Sequence, residues 1–154
     1  MKTDEEAREA IERAHRHEAA FATYLRSYGL TVEEKSHGFR ESIDDIDAYT
    51  HDIDFRIEGF TCQYKHRYKW LCAFTHGNNP IVDEKVKADR TPVDFYILRF
   101  ADGTIVAPYE PATWGLETIR DRKDRATKDF YTVNPADCLP LHIWIESFLS
   151  EGLF

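Results

Sequence analysis

The clearest alternation of polar and apolar residues runs from His51 to Lys69, HDIDFRIEGFTCQYKHRYK. Asp52 to Ile57 alternates with a period of two, Glu58-Gly59 supplies a two-residue turn in which glycine tolerates positive φ, and Phe60 to Lys65 resumes the alternation. The pattern predicts a hairpin of two six-residue strands. Counting outward from the turn pairs Ile57 with Phe60, Arg56 with Thr61, Phe55 with Cys62, Asp54 with Gln63, Ile53 with Tyr64 and Asp52 with Lys65. One face is apolar and suited to a core: Ile53, Phe55, Ile57, Phe60, Cys62 and Tyr64. The other carries Asp52, Asp54, Arg56, Thr61, Gln63 and Lys65, and is either a solvated strand surface or a site.

Toward the N-terminus the period lengthens. Residues 4–28 read as one helix, capped by Asp4, with Glu5 and Glu6 at the positive end of its dipole and Gly29 to stop it. Its apolar seam is Ile11, Ala14, Phe21, Leu25 and Tyr28, and the residue that completes the series between Ala14 and Phe21 is Glu18. A carboxylate there either reaches water or an arginine from the seam's edge or points into a site between helix and sheet.

Leu30 to Val32 is a short strand, and residues 33–50 form a polar loop whose acids, Glu41, Asp44, Asp45 and Asp47, are taken as solvated. Tyr68 to Phe74 is strand or helix, residues 75–80 are loop, and residues 81–90 are a short helix or exposed loop. Val93 to Phe100 is a strand, Asp102-Gly103 a turn and Thr104 to Ala107 the returning strand. A stretch from Pro111 runs into a basic cluster, Thr132 and Val133 belong to a last strand, and Leu139 to Leu149 is a helix. This order gives an α/β fold, a mixed β-sheet flanked by helices.

A chain of 154 residues with 42% hydrophobic content can bury one substantial core, so a single domain over residues 1–154 is expected. No apolar run approaches the roughly 20 residues of a membrane span, which points to a soluble protein without a membrane partner, in the cytoplasm or elsewhere inside the cell. Cys62, Cys72 and Cys138 are odd in number and lack C-x-x-C spacing; they read as buried thiols rather than a disulfide framework or zinc knuckle. The histidines are too scattered for a zinc site, with His15 and His17 on different helix faces, and no nucleophile-elbow motif is present.

Net charge changes the picture further. At -8 the chain is no general nucleic-acid coat protein, yet residues 1–60 hold 15 acids against 8 Lys and Arg, whereas residues 61–154 hold 13 against 12. A polyanion has one side to lie on, marked by His66, Arg67 and Lys69 after the hairpin and by Arg120, Arg122 and Lys123 further on.

The polar face of the hairpin carries the groups that metal-assisted phosphodiester cleavage needs: oxygen ligands for a hard cation, and an ammonium group to steady the attacking water. Asp54 and Gln63 present two oxygens, the backbone carbonyl of Tyr64 a third, Lys65 the ammonium, and Glu18 approaches from the helix. Asp52 is the alternative to Asp54, unless it pairs with Lys65 across the strands.

An acid on an early helix, an Asp on one strand and an acid-x-Lys signature on the next resemble the PD-(D/E)xK nuclease superfamily, with a layout similar to archaeal and phage Holliday-junction resolvases. The resemblance covers about residues 10–107 and matches Glu18 to the helix acid, Asp54 to the strand Asp, and Gln63-Tyr64-Lys65 to the (D/E)-x-Lys element. It implies a restriction-endonuclease-like core and a Mg²⁺-dependent DNA endonuclease, with Mn²⁺ as a substitute, acting as a homodimer either on branched DNA, as Holliday-junction resolvases do, or in homing or phage-type double-strand cleavage. Ile53 stands where a proline is often seen, and Gln63 replaces the acid and removes one negative charge. The alternative is a nuclease fold without catalysis, serving as a nucleic-acid- or protein-binding module.

Overall fold

The computed structural model describes residues 3–35, 53–67, 79–120 and 125–151. The loop acids Glu41, Asp44, Asp45 and Asp47, the stretch from Tyr68 to Phe74 with Cys72, and the basic residues Lys69, Arg122 and Lys123 lie outside the described residues.

Helix α1 spans Asp4–Arg26. Its cap is Thr3, one residue before the expected Asp4: Thr3 Oγ1 accepts from the Glu6 amide at 3.1 Å, leaving Asp4, Glu5 and Glu6 to line the first turn. Gly29, at φ 88°, lies in the left-handed conformation that follows many helix ends. The buried stripe is Phe21, Ala22 and Leu25, while Ala14 and Tyr28 of the expected seam are exposed. The helix lies against β1 (Val32–Glu34) and β3 (Phe60–Arg67), with β2 (Phe55–Ile57) between them in the sheet.

The hairpin register is the one counted from the sequence: Phe55 opposes Cys62, Arg56 opposes Thr61 and Ile57 opposes Phe60. Glu58 (φ 50°) and Gly59 (φ 85°) both adopt positive φ, as the favoured two-residue turn requires. Glu58 is held there by its carboxylate, which accepts from the Thr31 amide at 2.9 Å. The strands are unequal, however. Strand β3 runs the full Phe60–Arg67, but β2 stops at Phe55 because the chain leaves the ladder at Asp54.

The larger sheet has the order β1-β2-β3-β5-β6-β9, with β5 at Phe95–Phe100, β6 at Gly103–Pro108 and β9 at Leu139–Pro140. Strands β3 and β5 are parallel and every other neighbouring pair is antiparallel. Parallel neighbours need a long crossover. Here it includes β4 (Ile81–Glu84) and helix α2 (Lys85–Arg90), in place of the loop or single short helix expected over residues 81–90. Strand β4 joins β8 (Thr127–Thr132) and β7 (Gly115–Arg120) in a second sheet of order β4-β8-β7. The β5–β6 turn falls on Ala101-Asp102, one residue earlier than expected, with Gly103 paired to Phe100. Helix α3 (Leu141–Glu151) starts two residues later than expected, because Leu139 and Pro140 pair with β6.

Both faces of the larger sheet are covered. On one, Phe21 and Leu25 of α1 and Trp144 and Ile145 of α3 pack on Phe55, Tyr64, Ile97 and Val106. On the other, Val82, Ala88, Tyr131 and Val133 pack on Tyr96, Leu98, Phe100 and Ile105. Burial on two faces accounts for the nearly unbroken apolar run of β5. Among the described residues no helix is long and apolar enough to cross a membrane.

Candidate functional site

The early departure of Asp54 from the ladder creates the site. Had β2 continued in register, the Tyr64 amide would donate to the main-chain carbonyl of Ile53. It donates instead to Asp54 Oδ2 at 2.8 Å, while the Asp54 amide donates to the Cys62 carbonyl at 3.2 Å. The carboxylate thus takes the place of a backbone acceptor in the plane of the sheet, beside the part of β3 that extends past β2. Groups from both faces can reach it there.

From the helix face comes Glu18. Its side chain is 12% exposed, its carboxyl is in hydrogen-bonding contact with that of Asp54, and Oε2 lies 3.9 Å from His15 Nδ1. Burial of the Asp54 carboxyl and the adjacent Glu18 charge push its pKa up to about 7, against the opposing pull of the Tyr64 amide and Lys65. Two carboxyls in contact share a proton that is released only as pH rises through about 7.

From the opposite face comes Lys65, on the same side of β3 as Gln63 and Arg67 by strand alternation. Its ammonium lies 3.5 Å from Asp83 Oδ1 on β4. Asp83 is itself fixed: Oδ1 accepts from the Glu84 amide at 2.9 Å and Oδ2 from the Tyr96 hydroxyl at 3.2 Å. Asp83 was not singled out in the sequence. A lone acid in IVDE carries no signal until β4 is known to cross behind Lys65. Gln63 opposes Tyr96 of β5 and is half-buried. The backbone of Tyr64 is next to Asp54, as its amide bond requires.

The flanking basic residues divide. Arg67 is turned inward: its guanidinium donates to the carbonyls of Ile81 and Val82, the latter at 3.0 Å, so it pins β4 to β3 instead of facing a phosphate. His66 stacks on His17 of α1 with ring centroids 3.9 Å apart. Burial, His17 and Arg99 bring its pKa down to about 4, so it is neutral near pH 7 and offers no charge to a phosphate. Arg120 is exposed at the end of β7.

The oxygen donors of Glu18, Asp54, the Gln63 amide and the Tyr64 carbonyl suit a hard divalent cation, whose charge would replace the proton held between the two carboxyls. Among the described residues no group of three or more His, Cys, Asp or Glu side chains is placed to hold a metal, so Gln63 and main-chain oxygen are needed to complete such a set. Without a metal, the same arrangement offers a carboxyl pair titrating near neutrality and an ammonium group held across the strand. No protein-family model matches the chain, and no curated protein and no solved structure matches it.

Proposed function

We propose that the chain is a metal-dependent DNA endonuclease built on a restriction-endonuclease-like core. The observation that carries this reading is the meeting, at the Asp54 break in the hairpin, of a helix acid, a strand acid and a lysine: Glu18 in contact with Asp54, and Lys65 close enough to lower the Asp54 pKa. The resemblance requires these residues to converge, although they are spread over residues 18–65, on α1, on the segment just before β2 and on β3. The parallel β3–β5 pair between antiparallel neighbours and the helices packed on the sheet suit the same core.

Asp54 and Glu18 would hold Mg²⁺, or Mn²⁺ in its place, with the Gln63 amide and Tyr64 carbonyl oxygens. When bound, such a cation lowers the pKa of water and offsets charge on a phosphodiester. Lys65 would orient the attacking water by hydrogen bonding, and Asp83 restrains its ammonium at 3.5 Å. Glu18 would reach the cation from the helix, directly or through a bound water. Cutting both strands of a duplex or junction calls for two such sites, hence a homodimer. The free thiols of Cys62 and Cys138 agree with an intracellular location.

The test is cleavage of linear and branched DNA with and without Mg²⁺ or Mn²⁺, comparing wild type with Asp54→Asn, Glu18→Gln and Lys65→Ala. Divalent-dependent cutting that each substitution reduces by about a hundredfold or more supports the reading. A wild type that neither cuts DNA nor binds a divalent ion sinks it. Gln63, which leaves the acid count at two, favours a second reading, a nuclease fold kept as a binding module. DNA bound but never cut, with Gln63→Glu equally inactive, would select it.

A further inference from the structure

One helical turn beyond Glu18, a cleft of about 330 Å³ opens between α1 and the start of α3. Its walls are Ala20, Phe21 and Tyr24 of α1 and Leu141 of α3; Arg99 and Thr104, at the end of the β5–β6 hairpin, complete its lining. Arg99 is the sole charged residue among these six, in a chain whose net charge is -8. Tyr24 is 45% exposed and braced edge-on by Tyr28, at 5.2 Å between ring centroids, with a 3.2 Å bond between the two hydroxyls. The cleft therefore joins an exposed aromatic ring, Tyr24, with the Arg99 cation and the Thr104 hydroxyl in a space at the low end of small-ligand sites, about 300–1,000 Å³.

The cleft is also connected to the acid pair. Tyr64 stacks on Phe21 at 4.6 Å, and its buried hydroxyl senses both Arg99 and Glu18. Tyr64 thus joins the cleft residue Phe21, on which its ring stacks, to Asp54, to which its backbone amide donates.

We propose that this cleft receives one unpaired nucleotide of a DNA strand, its base against Tyr24 and a phosphate on Arg99 and Thr104. The inference rests on the nuclease reading and deepens it, because a cleft this small excludes a duplex and admits a single extruded or single-stranded nucleotide. It makes the substrate DNA with an unpaired segment next to the scissile bond. Stacking on an aromatic ring holds any base, so selection is by strand structure and not by sequence.

The test uses a fluorescein-labelled duplex carrying a single-stranded thymidine arm and the fully paired duplex of the same length. Binding is followed by anisotropy and cleavage by gel, with wild type, Tyr24→Ala, Arg99→Ala and the conservative Tyr24→Phe; thermal melts confirm that the variants fold. Tyr24→Ala and Arg99→Ala should each weaken binding of the armed duplex by about tenfold. They should leave the paired duplex within about twofold, with Tyr24→Phe near wild type. Arg99→Ala should also lower the slope of log affinity against log salt by about one. Equal losses on both DNAs, or no loss on either, overturn the inference while leaving a cutting wild type as a nuclease. A wild type that neither binds nor cuts either DNA removes the nuclease reading and this inference together.

Discussion

The ammonium of Lys65 sits 3.5 Å from Asp83 Oδ1, linking the strand that bears the candidate site to the second sheet. Asp83 is 9% exposed and accepts bonds from the Glu84 amide and the Tyr96 hydroxyl, so its carboxylate is a fixed anchor for a mobile side chain. Asp83→Asn keeps oxygen for one of these donors but removes the charge that aims Lys65. The proposed nuclease activity should fall by about 10–100-fold, the usual consequence of losing a group that orients a site residue. Tyr96→Phe, which removes one donor and leaves the ion pair, should lose less. Equal activity in Asp83→Asn and wild type would mean that Lys65 is not positioned through this contact.

In the proposed cation site Gln63 stands where the resemblance expects an acid, and that substitution can be reversed. Gln63→Glu adds a negative charge on the face of β3 that carries Lys65. Its affinity for Mg²⁺ should rise by about tenfold, equivalent to roughly 1.4 kcal/mol, as measured by calorimetry. An unchanged affinity would place the Gln63 side chain outside the cation's reach.

Packing beside the site is tested at Phe55, which is fully buried and next in sequence to Asp54. It packs against Phe21 at 5.9 Å and Tyr64 at 6.0 Å between ring centroids. Phe55→Ala should lower unfolding free energy by about 3–5 kcal/mol in urea. Leu116→Ala, at a site 59% exposed on β7, should stay within about 0.5 kcal/mol of wild type. Similar effects from both would contradict the burial described for the two residues.

The hairpin turn, the register of its first three pairs and the inward place of Glu18 were legible because each depends on local periodicity and turn chemistry. The break at Asp54 was not. Alternation continues through Asp52 in the sequence, and only the side chain's capture of the Tyr64 amide ends β2 early. The β7–β8 hairpin escaped for another reason: most of β7 is exposed, so neither burial nor alternation marks it. The inward turn of Arg67 and the Lys65–Asp83 pair both depend on β4, whose IVDE sequence resembles a charged loop until it pairs with β8. Local signals therefore located the acids and the lysine. The groups that fix or withdraw their neighbours come from distant strands.

Asp54 also links the site to stability. Its pKa is raised from the ordinary aspartate value to about 7 by burial and by Glu18, so the folded chain retains a proton that the unfolded chain has released. Between about pH 4 and pH 7 this group makes the metal-free protein less stable as pH rises, with the full penalty present above pH 7. Asp54→Asn removes the titration yet keeps an oxygen for the Tyr64 amide. The variant should therefore match wild type near pH 4 and melt at least about 3 °C higher at pH 8 without divalent ions. Excess Mg²⁺, displacing the proton, should raise the melting temperature of wild type more at pH 8 than at pH 5 and leave Asp54→Asn nearly unmoved. Thermal melts across pH 4–8, with EDTA and with Mg²⁺, measure both effects. A melting difference between variant and wild type that is independent of pH would show that Asp54 does not carry the retained proton. A Mg²⁺ effect equal in both proteins would place the cation elsewhere.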